Sequence, residues 1–248
     1  MPPPLRLDQA LVDRGLCESR EKARRAVLAG QIRVNGRQAN KPGQNVRAGD
    51  AIERLTPDRY VSRGGHKLEH ALHHFALDVS GLIALDVGAS TGGFTDCLLQ
   101  HGAAHVYAVD VGRGQLAWKL RTNPRVTVLE GINARHLTPA HFPMPFAPPQ
   151  FACVDCSFIS LRLILPPVAT LLAARGRLVA LVKPQFEAGK AEADRGHGVI
   201  RDPMIHQRVL DQLATATIPG LHWHAVTKSP ILGPAGNQEF LALLEKTE

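Results

Sequence analysis

Apolar residues recur at helical spacing near the start of the chain. Leu7, Ala10, Leu11 and Arg14 mark one short helix with Asp8 near its start, and Gly15-Leu16 breaks it. Ser19 is placed to cap a second helix that runs through Leu28 and is ended by Gly30. The period then shortens: Ile32-Arg-Val-Asn-Gly-Arg reads as a strand entering an Asn35-Gly36 hairpin turn, and Val46 to Leu55 supplies further short strands around Gly49-Asp50. Thr56-Pro-Asp-Arg-Tyr is polar and reads as a linker. Beyond it the pattern alternates between helical and continuous apolar runs. A helix is expected over 67–75, and strands near 82–87, 105–110, 126–129, 151–155 and 177–182. A late pair around 222–227 and 239–244 has no clear type, and the proline-rich 139–149 reads as a loop. This alternation predicts an α/β fold, a Rossmann-like doubly wound parallel sheet, preceded by a small α+β module. The expected division is residues 1–55, a linker at 56–61, and 62–248.

Composition sharpens this picture in one respect. The 248 residues are 44% hydrophobic, enough for a core without disulfide staples, and carry a formal charge of +7. Residues 1–60 hold 12 Lys and Arg against 7 Asp and Glu, a net of +5, whereas the remainder holds 17 against 15, a net of +2. The short module therefore carries most of the surplus, and an anionic partner is plausible for it. The four cysteines, Cys17, Cys97, Cys153 and Cys156, form no disulfide framework, and no secretory signal precedes them. Cys153 and Cys156 make a C-x-x-C within an expected strand, with no further ligands at zinc spacing, so they read as ordinary buried thiols and no metal is expected. The most apolar stretch, 163–182, is broken by Pro166, Pro167, Arg175, Gly176 and Arg177, which argues against a membrane span. A cytoplasmic, reduced protein is the expectation.

The most informative chemistry lies at the first long strand. Leu82-Ile-Ala-Leu-Asp-Val-Gly-Ala-Ser-Thr-Gly-Gly-Phe is an apolar strand entering a glycine-rich turn and then a helix. Gly88, Ser90, Gly92, Gly93 and Phe94 would bring backbone close to a nucleotide-sized ligand, and Asp110, closing the next strand, could accept ribose hydroxyls. The spacing G-x-S-x-G-G differs from the dinucleotide G-x-G-x-x-G. Asp86, just before the first glycine, would repel a pyrophosphate but could attract the ammonium of S-adenosylmethionine, directly or through water; it could equally cap backbone N–H groups. The balance favours S-adenosylmethionine and a class I methyltransferase domain. Asn133, after the third strand, could read an adenine edge or simply form a turn.

Two resemblances follow. L-D-x-x-L-V-x-R-G-L, S-R-x-x-A and G-x-I-x-V-N-G in the first fifty residues resemble the S4 RNA-binding module, which implies phosphate contacts from Arg6, Arg20, Lys22, Arg24 and Arg25. A basic docking or dimerisation domain is the competing reading. The glycine-rich turn together with Ser62-Arg-Gly-Gly-His-Lys-Leu, Val154-Asp-Cys-Ser-Phe-Ile-Ser-Leu, Val182-Lys-Pro-Gln-Phe-Glu and Gly236-Asn-Gln-Glu-Phe-Leu closely resembles the TlyA (hemolysin A) family of rRNA 2′-O-methyltransferases, an S4 module fused to an FtsJ-like domain. The family's tetrad maps onto Lys67, Asp155, Lys183 and Glu239. The resemblance implies cytidine targets in 16S and/or 23S rRNA within ribosomal subunits.

Asp155 and Lys183 lie at the expected C-terminal strand ends, Lys67 at the start of a helix, and Glu239 on a late element. For base work Lys183 would need a lowered pKa, which Lys67 would favour and the two carboxylates oppose; base and electrostatic stabiliser both stay open. Arg63, Arg195 and Arg201 are candidates to hold RNA phosphate at the mouth, and residues 189–198, with His197, read as a mobile substrate loop. Ala235 stands where relatives are expected to carry a basic residue. Two further classes compete: a membrane-active protein, as the hemolysin name suggests, and a non-catalytic RNA-binding assembly factor. The first lacks any convincing membrane-active segment; the intact turn and tetrad argue against the second.

Overall fold

A computed structural model describes residues 4–55 and 58–247, so Thr56 and Pro57 of the expected linker lie outside the described residues. The chain divides into two compact units, residues 1–59 and 60–248.

The first unit contains β1 (Leu5–Arg6), α1 (Leu7–Asp13), α2 (Arg20–Leu28), β2 (Ile32–Val34), β3 (Arg37–Gln38), β4 (Asn45–Val46) and β5 (Ile52–Arg54). Ser19 caps α2 by accepting the Lys22 N–H, and Asn35 and Gly36 take positive φ values of 50° and 75° in the β2–β3 turn. Strand β2 is central in a three-stranded sheet, while β1 and β4 pair separately. The apolar stripe of both helices (Leu7, Ala10, Leu11, Ala23, Ala26, Val27) packs with Ile32 and Val46 into a small core. One buried group there is charged. Asp8 is inaccessible and receives Arg6 Nε and Nη2 at 3.1 and 2.9 Å, and Arg20 Nη2 at 3.3 Å. Hydrogen bonding from Arg6, the dominant influence, holds its carboxyl below the usual range despite burial.

The second unit is built on a seven-stranded sheet. Its elements are α3 (Gly64–His74), β6 (Ile83–Val87), α4 (Gly93–Gln100), β7 (His105–Asp110), α5 (Trp118–Arg121), β8 (Val126–Glu130), β9 (Phe151–Val154), α6 (Leu161–Leu171), β10 (Arg177–Val182), α7 (Pro184–Glu187), α8 (Lys190–Arg195), α9 (Pro203–Ala214), β11 (Leu221–Lys228) and β12 (Phe240–Lys246). The strand order is β11-β12-β10-β9-β6-β7-β8. Strands β6 to β10 run parallel, and β12 is antiparallel to both neighbours. The chain winds outward from β6 through β7 to β8, then restarts at β9 on the other side. The switch point is therefore between β6 and β9, where open α/β sheets bind ligands. Runs such as Leu178-Val-Ala-Leu-Val are apolar throughout because both faces are covered, one by each of two hydrophobic clusters.

Four expectations change. The first helix of this unit starts at Gly64, not Lys67. Gly64 and Gly65 are poor helix formers, but a Cβ on Gly65 would lie 2.2 Å from Tyr60 Cγ, so close packing demands glycine inside the helix. The late pair is a pair of antiparallel strands with a bulge between Trp223 and Ala225. Residues 189–198 do not form an open loop: α8 occupies most of the segment. In the proline-rich 139–149 stretch, a 3₁₀ turn covers Pro139–His141.

Candidate active site

Three parallel strands deliver side chains to the switch point. Strand β6 ends at Val87 and hands over Gly88; β9 ends at Val154 and hands over Asp155; β10 ends at Val182 and hands over Lys183. The Asp155 N–H bonds to the Val87 carbonyl at 2.9 Å, so these ends are locked together. Helix α3 contributes Lys67 and the entry to β12 contributes Glu239. All four line one cavity of about 290 Å³, along with Ser62, Arg63, Gly93 and Phe94.

Their charges are matched in pairs. Lys67 Nζ bonds to Glu239 Oε2 at 2.5 Å, with both side chains almost fully buried. Lys183 Nζ donates to Ser157 Oγ at 2.8 Å and forms an ion pair with Asp155 Oδ1 at 2.6 Å. Each lysine thus has its own carboxylate. Ser157 lies within the Val154-Asp-Cys-Ser motif, but nothing in sequence spacing marks it as the partner of a lysine 26 residues on.

A second cavity of about 550 Å³ shares Gly88, Ser90, Asp155 and Ser157 with the first and extends along Val109, Asp110, Gln115, Ile132 and Asn133. Gly88 has φ +87°, and a Cβ there would sit 2.6 Å from the Asp155 carbonyl oxygen; only glycine lets the two strand ends meet. Asp110 accepts the Ser90 N–H at 2.8 Å and the Gly112 N–H at 2.6 Å, each oxygen keeping a lone pair for a ribose hydroxyl. Asn133 accepts the Arg135 N–H at 3.1 Å, so it does form a turn, while also lining the cavity. An apolar wall with a few fixed polar groups, in a volume of this size, fits a nucleoside such as the adenosyl part of S-adenosylmethionine.

The remaining cofactor candidates separate. Gly93 and Phe94 line the smaller cavity and Ser90 lines both, whereas Gly92 turns the chain at φ +95° behind Leu116 and Leu120. Asp86 lines neither cavity. It is fully buried, accepts a hydrogen bond from the Thr95 hydroxyl at 2.6 Å, and leaves Oδ1 without a hydrogen-bond partner among the described residues. Direct attraction of a ligand ammonium is therefore not its geometry.

Burial pushes the Asp86 carboxyl up to about 7, reinforced by Asp155 and opposed by Thr95. A raised native pKa means the folded state holds a proton that the unfolded chain releases near pH 4, so stability falls as pH rises from about 4 to about 7. Asp86→Asn is expected to flatten that slope, as read from urea midpoints across this range; an unchanged slope would assign it elsewhere.

The cationic candidates also divide. Arg63 is exposed and lines the smaller cavity; Arg195 and Arg201 are exposed but line neither cavity. Asn237 is almost inaccessible and clamps the segment beside them, accepting the Ile200 N–H and donating to the Gly198 carbonyl at 2.9 Å each. In the first unit, Arg6 and Arg20 are committed to Asp8, Lys22 pairs with Glu18, and Arg25 pairs with Glu21. Arg24 makes no ion pair among the described residues and shares a shallow groove with Arg20 and Arg25. The cysteines are free thiols: burial raises Cys153, and it raises Cys156, which lies just past β9, to about 12.

A parallel sheet with an antiparallel β12 insertion and a nucleoside-sized cavity at the switch point defines a class I S-adenosylmethionine-dependent methyltransferase. The second unit matches the FtsJ-like methyltransferase family over residues 60–246, and the first matches the S4 domain over residues 5–52. The chain is 50% identical to YqxC of Bacillus subtilis (strain 168), over 95% of this chain and 84% of the relative. It is 46% identical to the 16S/23S rRNA (cytidine-2′-O)-methyltransferase TlyA of Mycobacterium tuberculosis, over 96% of this chain and 89% of the relative. A solved chain from Streptococcus thermophilus that carries the hemolysin name superposes with a TM-score of 0.75 at 48% identity, covering 99% of this chain and 90% of that one. The chain belongs to the FtsJ-like methyltransferases, and within them to the TlyA (hemolysin A) family.

Proposed function

We propose that this protein transfers a methyl group from S-adenosylmethionine to the 2′-hydroxyl of a cytidine ribose in ribosomal RNA, acting in the cytoplasm. The observation that carries this reading is the meeting of two cavities along Gly88, Ser90, Asp155 and Ser157, one sized for a nucleoside and one lined by Lys67, Asp155, Lys183 and Glu239. Bound S-adenosylmethionine supplies a sulfonium methyl already activated for nucleophilic attack. The residues must then bring a poor nucleophile into line and manage its proton. Lys183, steadied by Ser157 and Asp155, is the group that orients the ribose oxygen and stabilises charge developing on it, with the proton leaving to the Lys183–Asp155 pair. Lys67 and Glu239 brace the cavity lining as a buried pair. Asp110, Asn133 and the Gly88–Phe94 turn hold the cofactor; Asp86 supports that turn from beneath through Thr95. Arg63, Arg195 and Arg201 hold substrate phosphates, and the S4 unit, through Arg24 and its neighbours, adds sequence-independent RNA affinity.

The TlyA relative's named activity supports the choice of cytidine and of rRNA. Among the described residues no helix is long and apolar enough to cross a membrane. The decisive assay incubates the purified protein and labelled S-adenosylmethionine with 30S and 50S subunits from cells lacking the gene, followed by mapping of 2′-O-methyl sites. Label confined to a cytidine ribose is expected. No transfer to either subunit by cofactor-bound protein, or release of liposome contents that survives Lys183→Ala, would reject it.

A further inference from the structure

The outer surface of the α3–α4 pair holds a cluster that methyl transfer does not use. Helix α3 carries the run His66-Lys-Leu-Glu-His-Ala-Leu-His-His, and Glu69 and His73, four residues apart, share one of its faces. His101, the C-cap of α4, meets that face: its ring centroid is 5.9 Å from that of His73, at an interplanar angle of 68°. One potential ligand atom from each of Glu69, His73 and His101 lies within 4.8 Å of the other two.

His101 is oriented by a further contact. Its Nδ1 is 2.9 Å from the Cys97 carbonyl and 3.6 Å from Cys97 Sγ; with the hydrogen on Nδ1 and donated to that carbonyl, Nε2 keeps a lone pair for an ion. A backbone carbonyl holding one imidazole nitrogen so that the other can ligate is the usual outer support of a metal-bound histidine. His73 is exposed while Glu69 and His101 are half-buried, which gives an ion direct entry from solvent.

We propose that Glu69, His73 and His101 bind one divalent transition-metal ion through two imidazole nitrogens and one carboxylate oxygen, with water completing the shell. Imidazole ligation selects zinc, nickel, cobalt or copper over magnesium and calcium. Tetrahedral zinc bonds of about 2.0 Å place ligand atoms about 3.3 Å apart, so the cluster must close slightly, a movement within the rotamer freedom of exposed His73. Glu69 also lies 3.7 Å from His66 Nδ1, a contact that ligation of the ion would replace. The site is independent of the C-x-x-C, whose thiols are inert. It clips together the C-terminal ends of α3 and α4, the helices that carry Lys67, Gly93 and Phe94 to the catalytic cavity.

The test uses tag-free full-length protein, stripped with a chelator and titrated with cobalt chloride and then zinc chloride. One cobalt per chain is expected, with visible d–d absorption that zinc displaces, and a higher thermal midpoint in saturating zinc, because the ion binds only the folded chain. His73→Ala and His101→Ala should each abolish the cobalt spectrum and weaken zinc more than about tenfold. His74→Ala, on the same helix, should bind as the parent does. Melting in chelator establishes that all three variants fold; His73 is exposed, so its truncation leaves the core untouched. Absence of bound cobalt at millimolar excess, or parental zinc affinity in both His73→Ala and His101→Ala, overturns the proposal.

Discussion

Lys183→Ala is expected to lower the rate of methyl transfer to ribosomal subunits by about 10²–10⁴-fold, the range for removing a positioned proton-transfer or charge-stabilising group. Cofactor affinity should be unchanged, because Lys183 lines the smaller cavity and not the nucleoside-sized one. The substitution leaves Asp155 and Ser157 in place but without their cation, so thermal melting must accompany the kinetics. Single-turnover transfer of labelled methyl, paired with calorimetric titration of S-adenosylmethionine, separates the two effects. A variant as fast as the parent would remove Lys183 from the reaction. The equivalent change at Lys67 is a weaker test. Breaking its buried pair with Glu239 leaves an uncompensated charge that costs about 3–5 kcal/mol in comparable sites, so lost activity there could reflect lost fold.

Gly88→Ala should be nearly as damaging by a different route. Its φ of +87° disfavours any side chain by about 1–2 kcal/mol, and the added Cβ would meet the Asp155 backbone oxygen at 2.6 Å. Backbone cannot rotate away as a side chain can, and overpacking of this kind costs about 1–3 kcal/mol more. A loss of about 3 kcal/mol in urea unfolding is therefore expected. Cofactor binding should disappear, since Gly88 lines both cavities and links them. Gly114→Ala is the matched control: φ there is +71°, but among the described residues nothing lies within 4 Å of the added Cβ. It should show only the conformational cost. Equal effects at the two positions would mean that contact with Asp155 carries no weight.

The fold was largely legible because its signals are local. Apolar runs marked the parallel strands to within a residue or two, and Ser19, Asn35 and Gly36 announced the cap and the turn of the first unit. The intrinsic preference of Gly64 and Gly65 argues against a helix start there, while close contact with Tyr60 requires a glycine at 65 inside the helix. The late strands stayed undecided, since an antiparallel edge pair shows its pattern only when its neighbours are known. Segment 189–198 looked like a loop from its glycines, yet α8 forms within it.

The candidate site was legible as a set of residues and not as an arrangement. Motifs named Lys67, Asp155, Lys183 and Glu239, and strand ends placed two of them near a switch point. They could not show that Lys67 is paired with Glu239 and Lys183 with Asp155, so the open balance at Lys183, with Lys67 set against both carboxylates, becomes two matched pairs. Asp86 looked like a ligand-facing group because it precedes the glycines. Strand alternation turns it instead toward Thr95 and the interior, where burial rather than a ligand governs its proton.

Sequence by itself determined the two-unit organisation, the sheet-forming segments, the glycine-rich turn and the identity of the four charged residues, because propensity, period and motif act between near neighbours. Tertiary structure alone decided which charges neutralise each other, that Ser157 supports Lys183, that Asp86 is buried, and that His101 meets Glu69 and His73. Those outcomes depend on separations of a few ångströms between residues far apart in the chain, and packing is what sets them.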